Sequence, residues 1–229
     1  MPEIHSNTAI LVFALDSFEE MKRKKIRKGN ALFSALNKHT LAEVKKTGLP
    51  YVQCGGSCQE GNSFGERFSN AIKDLFEQGF ENIIALGNDC PQLTKEHILQ
   101  AASKLSSGKN VVAPSLDGGF NLLGIQKSAF HKVIFEKLSW QTEKLLAETL
   151  AYLEEVGSSP ELLESFSDLD FVSDLERLAT KVKSHSLALY NFFIASLQTF
   201  QKYWLYGNKT TYQFLFSIPF NKGSPLGLS

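Results

Sequence analysis

Asn82-Ile83-Ile84-Ala85-Leu86 is a short, largely apolar stretch bounded by turn formers, and Gly87-Asn88-Asp89-Cys90-Pro91-Gln92-Leu93 follows it directly. A short apolar run of this kind reads as a buried strand, here ending at Gly87. Asp89 then stands just past the carboxyl end of a strand, where ligands bind in open α/β sheets. A second unit of the same kind follows: Asn110-Val111-Val112-Ala113-Pro114, then Asp117-Gly118-Gly119. A predicted helix, Lys95 to Leu105, separates the two. Taken singly, Asp89 reads as a helix cap and Asp117 as a turn former. Taken together, two acidic strand ends facing one crevice point to a site.

Strand and helix signals alternate along most of the chain. Thr8 to Ala14 reads as a buried first strand, Asn30 to Thr47 as a helix stopped by Gly48 and Pro50, and Tyr51-Val52 as the start of a short strand. Phe64, Phe68, Ala71, Ile72, Leu75 and Phe76 form one helical stripe with Gly79 as its C-cap. Phe120 to Ile125 is a further strand. Helices are expected near Ser128–Phe135, Thr142–Val156 and Val172–Lys181. The alternation favours a three-layer α/β/α domain with a mostly parallel sheet, spanning residues 1–184.

Residues 185–229 differ. Tyr190, Phe193, Ile194, Leu197 and Trp204 share a helical face, and Tyr212, Phe214, Phe216, Ile218 and Phe220 alternate as a strand does. This appendage reads as extra core cover, as a homodimer contact through residues 186–220, or as a membrane-surface contact. Asn191, Gln198, Gln201 and Lys202 argue against a transmembrane helix.

Twenty-four basic and 24 acidic residues give a formal net charge of zero, so the balance offers nucleic acid no general attraction. The amino terminus lacks a basic region followed by a long apolar stretch, and the three cysteines, Cys54, Cys58 and Cys90, are expected to be reduced, with Cys54 and Cys58 in no metal or redox role. The expected compartment is the cytoplasm. Phosphate-binding, dinucleotide, zincin and serine-hydrolase signatures are all absent from the sequence.

Two further groups suit a phosphate ligand. Arg67 lies in the first turn of the striped helix, where its planar fork and the positive helix end both favour an anion; alone, it would more often make a surface ion pair. Lys22 to Lys28 is a dense basic run after the first strand, by default a solvated loop. Asp168-Leu169-Asp170 places two carboxylates on one side of an extended segment, within reach of serving Asp89 as a second metal ligand.

In combination, Gly65-Glu66-Arg67, Gly87-Asn88-Asp89-Cys90-Pro91, Asp117-Gly118-Gly119-Phe120, Trp140-Gln141-Thr142 and Asp168-Leu169-Asp170 resemble the bacterial glycosyltransferase-A-like (TarA-like) proteins, relatives of the nucleotide-diphospho-sugar transferases. The resemblance runs from about Thr8 to Ala179. It implies a GT-A-like fold, a nucleotide or nucleotide-sugar ligand, and Mg²⁺ or Mn²⁺ held by Asp89 with Asp170 as a further carboxylate. Arg67, Gly87, Asn88, Gly118, Gly119 and Trp140 would line the substrate, and Asp117 would orient a sugar hydroxyl or act as base. The chain departs from the pattern after strand one, where Ala14 to Glu19 replaces a glycine and a basic cluster. Asn121 stands where an aromatic is frequent, and Phe171 where a threonine often follows the last aspartate. The expected activity is glycosyl transfer from a nucleotide-diphosphate sugar. Nucleotidyl transfer and a non-catalytic nucleotide-binding role are the alternatives.

Overall fold

The computed structural model describes residues 7–15, 17, 30–169 and 174–206. Its elements are β1 (Thr8–Phe13), α1 (Asn30–Lys46), β2 (Tyr51–Cys54), α2 (Phe64–Glu77), β3 (Asn82–Leu86), α3 (Lys95–Ser106), β4 (Val111–Pro114), β5 (Phe120–Gln126), α4 (Lys132–Phe135), α5 (Leu145–Glu155), β6 (Glu161–Leu162), α6 (Asp174–Val182) and α7 (Leu187–Tyr206). The six strands form one sheet in the order β2-β1-β3-β5-β4-β6. Pairing is parallel between β1 and β2, β1 and β3, and β4 and β6, whereas β5 runs antiparallel to both β3 and β4. The reversal follows from chain length: residues 115–119 join β4 to β5, too short a link for a parallel crossover.

β1 makes plain why the apolar runs are continuous. Ala9, Leu11 and Phe13 enter one core with α2, α5 and the inner face of β5. Ile10, Val12 and Ala14 enter another with α1 and α3. Period-two alternation thus places every second residue in a different, equally apolar layer. Fully burying each of these isoleucines and leucines contributes about 1.5–3 kcal/mol.

The striped helix is α2. Ser63 caps it by accepting from the Glu66 amide at 3.1 Å, and the Glu66 carboxylate reaches back to the Asn62 amide at 2.7 Å. Gly79, at φ +100°, ends it, with Gly79 N donating to Phe76 O at 3.2 Å and Phe80 N to Leu75 O at 3.4 Å. This is the Schellman arrangement, in which a glycine accepts the left-handed backbone.

The aromatic helix α7 covers part of the core: its Leu189 and Phe193 are buried against Leu32, Phe33 and Leu36 of α1 and against Leu175 and Leu178 of α6. The predicted strand Tyr212–Phe220 lies outside the described residues. Cys54 and Cys58 are joined in a disulfide, contrary to the reduced state expected from their spacing. A single 3₁₀ turn, Gly56–Cys58, brings their Cα atoms to 5.2 Å, within bridging reach. Cys90 is free and buried. No helix among the described residues is long and apolar enough to cross a membrane.

Candidate functional site

The carboxyl ends of β3 and β4, the start of the reversed β5 and the segment after β6 meet at one edge of the sheet. Past β6 the chain stays alongside β4: Leu163 N donates to Val112 O at 2.9 Å, Phe166 N to Pro114 O at 3.0 Å, and Leu116 N to Phe166 O at 3.1 Å. It then crosses to the next loop, where Leu169 N donates to Asp89 O at 2.9 Å. The acidic loop after β3 and the Asp168 segment are therefore fastened together by backbone.

Asp168 is buried, and its carboxylate is fully engaged. Ser115 Oγ donates to Oδ2 at 2.8 Å, and Asn121 Nδ2 donates to Oδ1. Asn121 reaches this place because the β4–β5 register slips, Ala113 pairing with Leu122 and Pro114 with Phe120, which leaves Asn121 as an extra residue. Such bulges commonly re-aim one side chain beside a binding site. The amide's other atom, Asn121 Oδ1, is buried with no hydrogen-bond partner among the described residues. An unmet buried acceptor costs about 1–3 kcal/mol, so it is ordinarily reserved for a water or a ligand donor. The Cys90 thiol sits beside these carboxylates. Burial, then the charges of Asp168 and Asp89, push it well above the usual cysteine range, so it stays a neutral thiol.

Six of the residues singled out in the sequence fall into two groups. Gly87, Asn88 and Asp89 share the loop after β3. A Cβ at Gly87 would lie 3.1 Å from Asp89 Oδ1, so the glycine leaves that carboxylate room. Asn88 is buried and donates through Nδ2 to Asn37 of α1. Asp117, Gly118 and Gly119 share the β4–β5 turn. Asp117 is exposed and accepts from Gly119 N at 3.2 Å. Gly118 has φ +85°, and a Cβ there would meet Glu143 O at 2.2 Å. Its carbonyl accepts from Leu146 N at 2.9 Å, so the turn is pinned to the start of α5.

Trp140 lies on the α2 side of the sheet, half-buried among Phe64, Phe68, Phe120 and Phe135, with Nε1 donating to Phe135 O at 3.0 Å. Gly65 permits this approach: a Cβ there would stand 2.6 Å from Trp140 Cδ1. Arg67, two residues on, is partly exposed and makes no side-chain hydrogen bond or ion pair among the described residues. Asp170 lies outside the described residues, and so does the basic run Lys22–Lys28. Ser115, Asn121 and Asp168 are neighbours the sequence reading did not join; Asp168 was visible beside Asp170, but Ser115 carried no local signal.

The Asp89 loop is held from behind by two histidines. His39 Nε2 donates to Pro91 O at 3.1 Å and His185 Nε2 to the same oxygen at 3.4 Å. Burial holds the His39 imidazole below its ordinary range; Glu43 opposes this, and His185 and Lys46 add to it. In the pH window between that lowered value and about 6.5, the unfolded chain binds a proton at His39 that the folded chain does not. Stability from this group is therefore present above the window and is lost as pH falls through it. His39→Gln, which keeps a donor for Pro91 O but does not titrate, is expected to reduce the drop in melting temperature between about pH 7 and pH 5.5. An unchanged drop in the variant would show that His39 is not responsible.

A sheet of this order with one reversed strand, covered by helices on both faces and carrying acidic loops at one edge, is a GT-A-like α/β fold. Residues 32–142, a little under half of the chain, match the model of a family described as "Uncharacterized protein conserved in bacteria (DUF2064)". Among solved structures, a protein from Desulfovibrio desulfuricans G20 described as a candidate nucleotide-diphospho-sugar transferase matches with a TM-score of 0.74 at 19% identity, over 85% of this chain and 96% of that one. A homolog of Mycobacterium tuberculosis rv0371c from Mycobacterium sp. strain JC1 matches with a TM-score of 0.49 at 14% identity, over 79% of this chain and 100% of that one. No curated protein matches.

Proposed function

We propose that the chain is a metal-dependent transferase of the glycosyltransferase-A-like (TarA-like) kind, acting on a nucleotide-diphosphate sugar. The observation that carries this reading is the fastening of the Asp89 loop to the buried Asp168–Ser115–Asn121 network, with one carbonyl oxygen of Asn121 left unmet. Such an edge offers a carboxylate for a cation and an acceptor for a hydroxyl donor, within a fold that hosts sugar-nucleotide chemistry.

The donor set suits a hard cation, since carboxylate oxygens are the ligands that Mg²⁺ and Mn²⁺ prefer. Among the described residues no cluster of three histidine, cysteine or acidic side chains stands ready, so Asp89 would hold the ion together with the ligand's phosphates and Asp170. When bound, the ion offsets charge on the departing diphosphate. Arg67, without a side-chain partner among the described residues at the start of α2, binds phosphate oxygens bidentately. Asn121 Oδ1 accepts from a ligand hydroxyl while Asp168 fixes the amide's orientation. Asp117, exposed on its glycine-flanked turn, orients an acceptor hydroxyl or takes its proton. Residues 186–220 would supply any self-association.

Nucleotidyl transfer on the same fold would require the loop after β1 to grip a triphosphate. In this chain that loop reads Asp16-Ser17-Phe18-Glu19-Glu20, with three acids and no glycine. Unless the basic run Lys22–Lys28 that follows folds over it, its charge opposes a triphosphate, which favours glycosyl transfer. The expected result with Mn²⁺ is slow hydrolysis of a nucleotide sugar to nucleoside diphosphate, with no pyrophosphate from a nucleoside triphosphate plus sugar phosphate. Pyrophosphate release above an Asp89→Ala control would reverse the assignment. Absence of both products and of nucleotide binding would leave a non-catalytic role.

A further inference from the structure

The Cys54–Cys58 disulfide takes no part in the function proposed above. It bridges five residues, Cys-Gly-Gly-Ser-Cys, at the carboxyl end of β2, on the same edge of the sheet as the acidic loops. Its two ends lie in different surroundings. Cys54 is fully buried in the apolar layer shared with Phe13 and Phe68, and its carbonyl accepts from Ala14 N, just beyond β1, at 3.2 Å. Cys58 is exposed. A bridge that serves as a structural staple gains most by closing a long loop. This one closes a single 3₁₀ turn, so it does little for global stability, and exposed disulfides are the labile ones. What it restrains is local. The bridge holds two consecutive glycines in the turn that begins the segment leading into α2; among the described residues the turn itself is otherwise restrained by Cys58 N to Gly55 O at 3.0 Å, Gln59 N to Gly56 O at 3.3 Å and Gln59 Nε2 to Cys54 O at 3.2 Å, and the far end of the segment by Asn70 Nδ2 to Glu60 O at 2.9 Å and Asn62 N to the Glu66 carboxylate at 2.7 Å.

We infer that the Cys54–Cys58 pair is a reversible redox lock on residues 55–62 at the rim of the crevice, opened by a dithiol reductant of the thioredoxin or dithiothreitol class. The reductant's thiolate attacks Sγ of Cys58, the accessible sulfur. The Cys54–Cys58 bond breaks, and Cys54 leaves with the electron pair and takes a proton. The second reductant thiol then attacks the mixed disulfide and releases Cys58 as a thiol. The net change is one protein disulfide and one dithiol converted into two protein thiols and one oxidised reductant. Once open, the two glycines regain backbone freedom that the turn had removed. Because the segment runs into the first turn of α2, reduction also loosens the approach to Arg67; any consequence for phosphate affinity rests on the function proposed above, whereas the lock itself does not.

The test uses the full-length protein. Isolated without reductant, alkylated after unfolding and mapped by mass spectrometry, it is expected to show Cys54 joined to Cys58 and only Cys90 alkylated. In dithiothreitol redox buffers the bond should open reversibly, and amide hydrogen exchange across residues 55–62 should then accelerate on the order of tenfold, while β3 and β5 keep their protection. A Cys54→Ser/Cys58→Ser variant should exchange at the fast rate with or without reductant; if it does not fold, the wild-type comparison stands alone. Free thiols at both positions in protein isolated under air, or equal exchange in the oxidised and reduced wild type, would overturn the inference. Nucleoside diphosphate affinity measured in both redox states tests the link to Arg67 separately.

Discussion

Asp89→Ala is expected to weaken Mn²⁺-dependent binding of a nucleoside diphosphate on the order of 100-fold, about 2.8 kcal/mol, while shifting the melting temperature by only a few degrees. Asp89 stands in the loop just past β3, and Gly87 leaves its carboxylate room. The loop's position is secured by other groups: the Leu169 amide on the Asp89 carbonyl, Asn37 on Asn88, and His39 and His185 on Pro91. Removing one strand-end carboxylate therefore takes little from the core, and an effect confined to binding is expected. Calorimetric titration of uridine diphosphate, with and without Mn²⁺, measures it. Equal affinity in wild type and variant, or a loss that is the same without metal, would remove Asp89 from the metal role.

Gly118→Ala is expected to be the most damaging small substitution at this edge, costing about 2–4 kcal/mol. Two penalties combine. The residue has φ +85°, a backbone region that an alanine Cβ disfavours, and the added carbon would lie 2.2 Å from Glu143 O and 2.7 Å from Glu143 Cα. These are backbone atoms, so no rotamer change relieves the contact; the segment that starts α5 would have to move and would strain the Leu146 N to Gly118 O bond at 2.9 Å. For a chain of this size the loss corresponds to a melting temperature lower by roughly 5–15 °C. Gly119→Ala is the useful contrast, because no left-handed backbone is recorded there. A Gly118→Ala protein as stable as wild type would mean that the turn and α5 are not held together as described.

Much of the layered core was legible in the chain because strand and helix periodicities are local. The run Asn82–Leu86 became β3 with those bounds, and the stripe from Phe64 to Phe76 became the buried face of α2. The expectation of a layered α/β sheet holds because alternating elements with short links leave few ways to cover both faces, whereas its GT-A-like character was implied by the resemblance of the motifs. The placing of Asp89 and Asp117 beyond strand ends was legible for the same reason.

What the sequence could not determine depends on distance in space. Asp168 and Asp170 are indistinguishable as letters, yet Asp168 is committed to Ser115 and Asn121, residues 53 and 47 positions away. Asn121 drew notice only as a departure from a pattern; its role follows from a register slip that no local propensity encodes. The glycines at 65 and 118 stood out only as members of motifs, whereas contact with Trp140 and with Glu143 makes each a packing requirement. The apolar face of α7 suited core cover or an outside partner equally well, and packing against α1 and α6 places Leu189 and Phe193 in the core. Cys54 and Cys58 were read as thiols because their spacing matches no metal site, and only the turn at Gly56 brings them within bonding reach. Periodicity is a property of neighbours along the chain and survives in the sequence. Carboxylate partners, close approaches and covalent closure depend on which distant segments meet, and that was decided by tertiary packing alone.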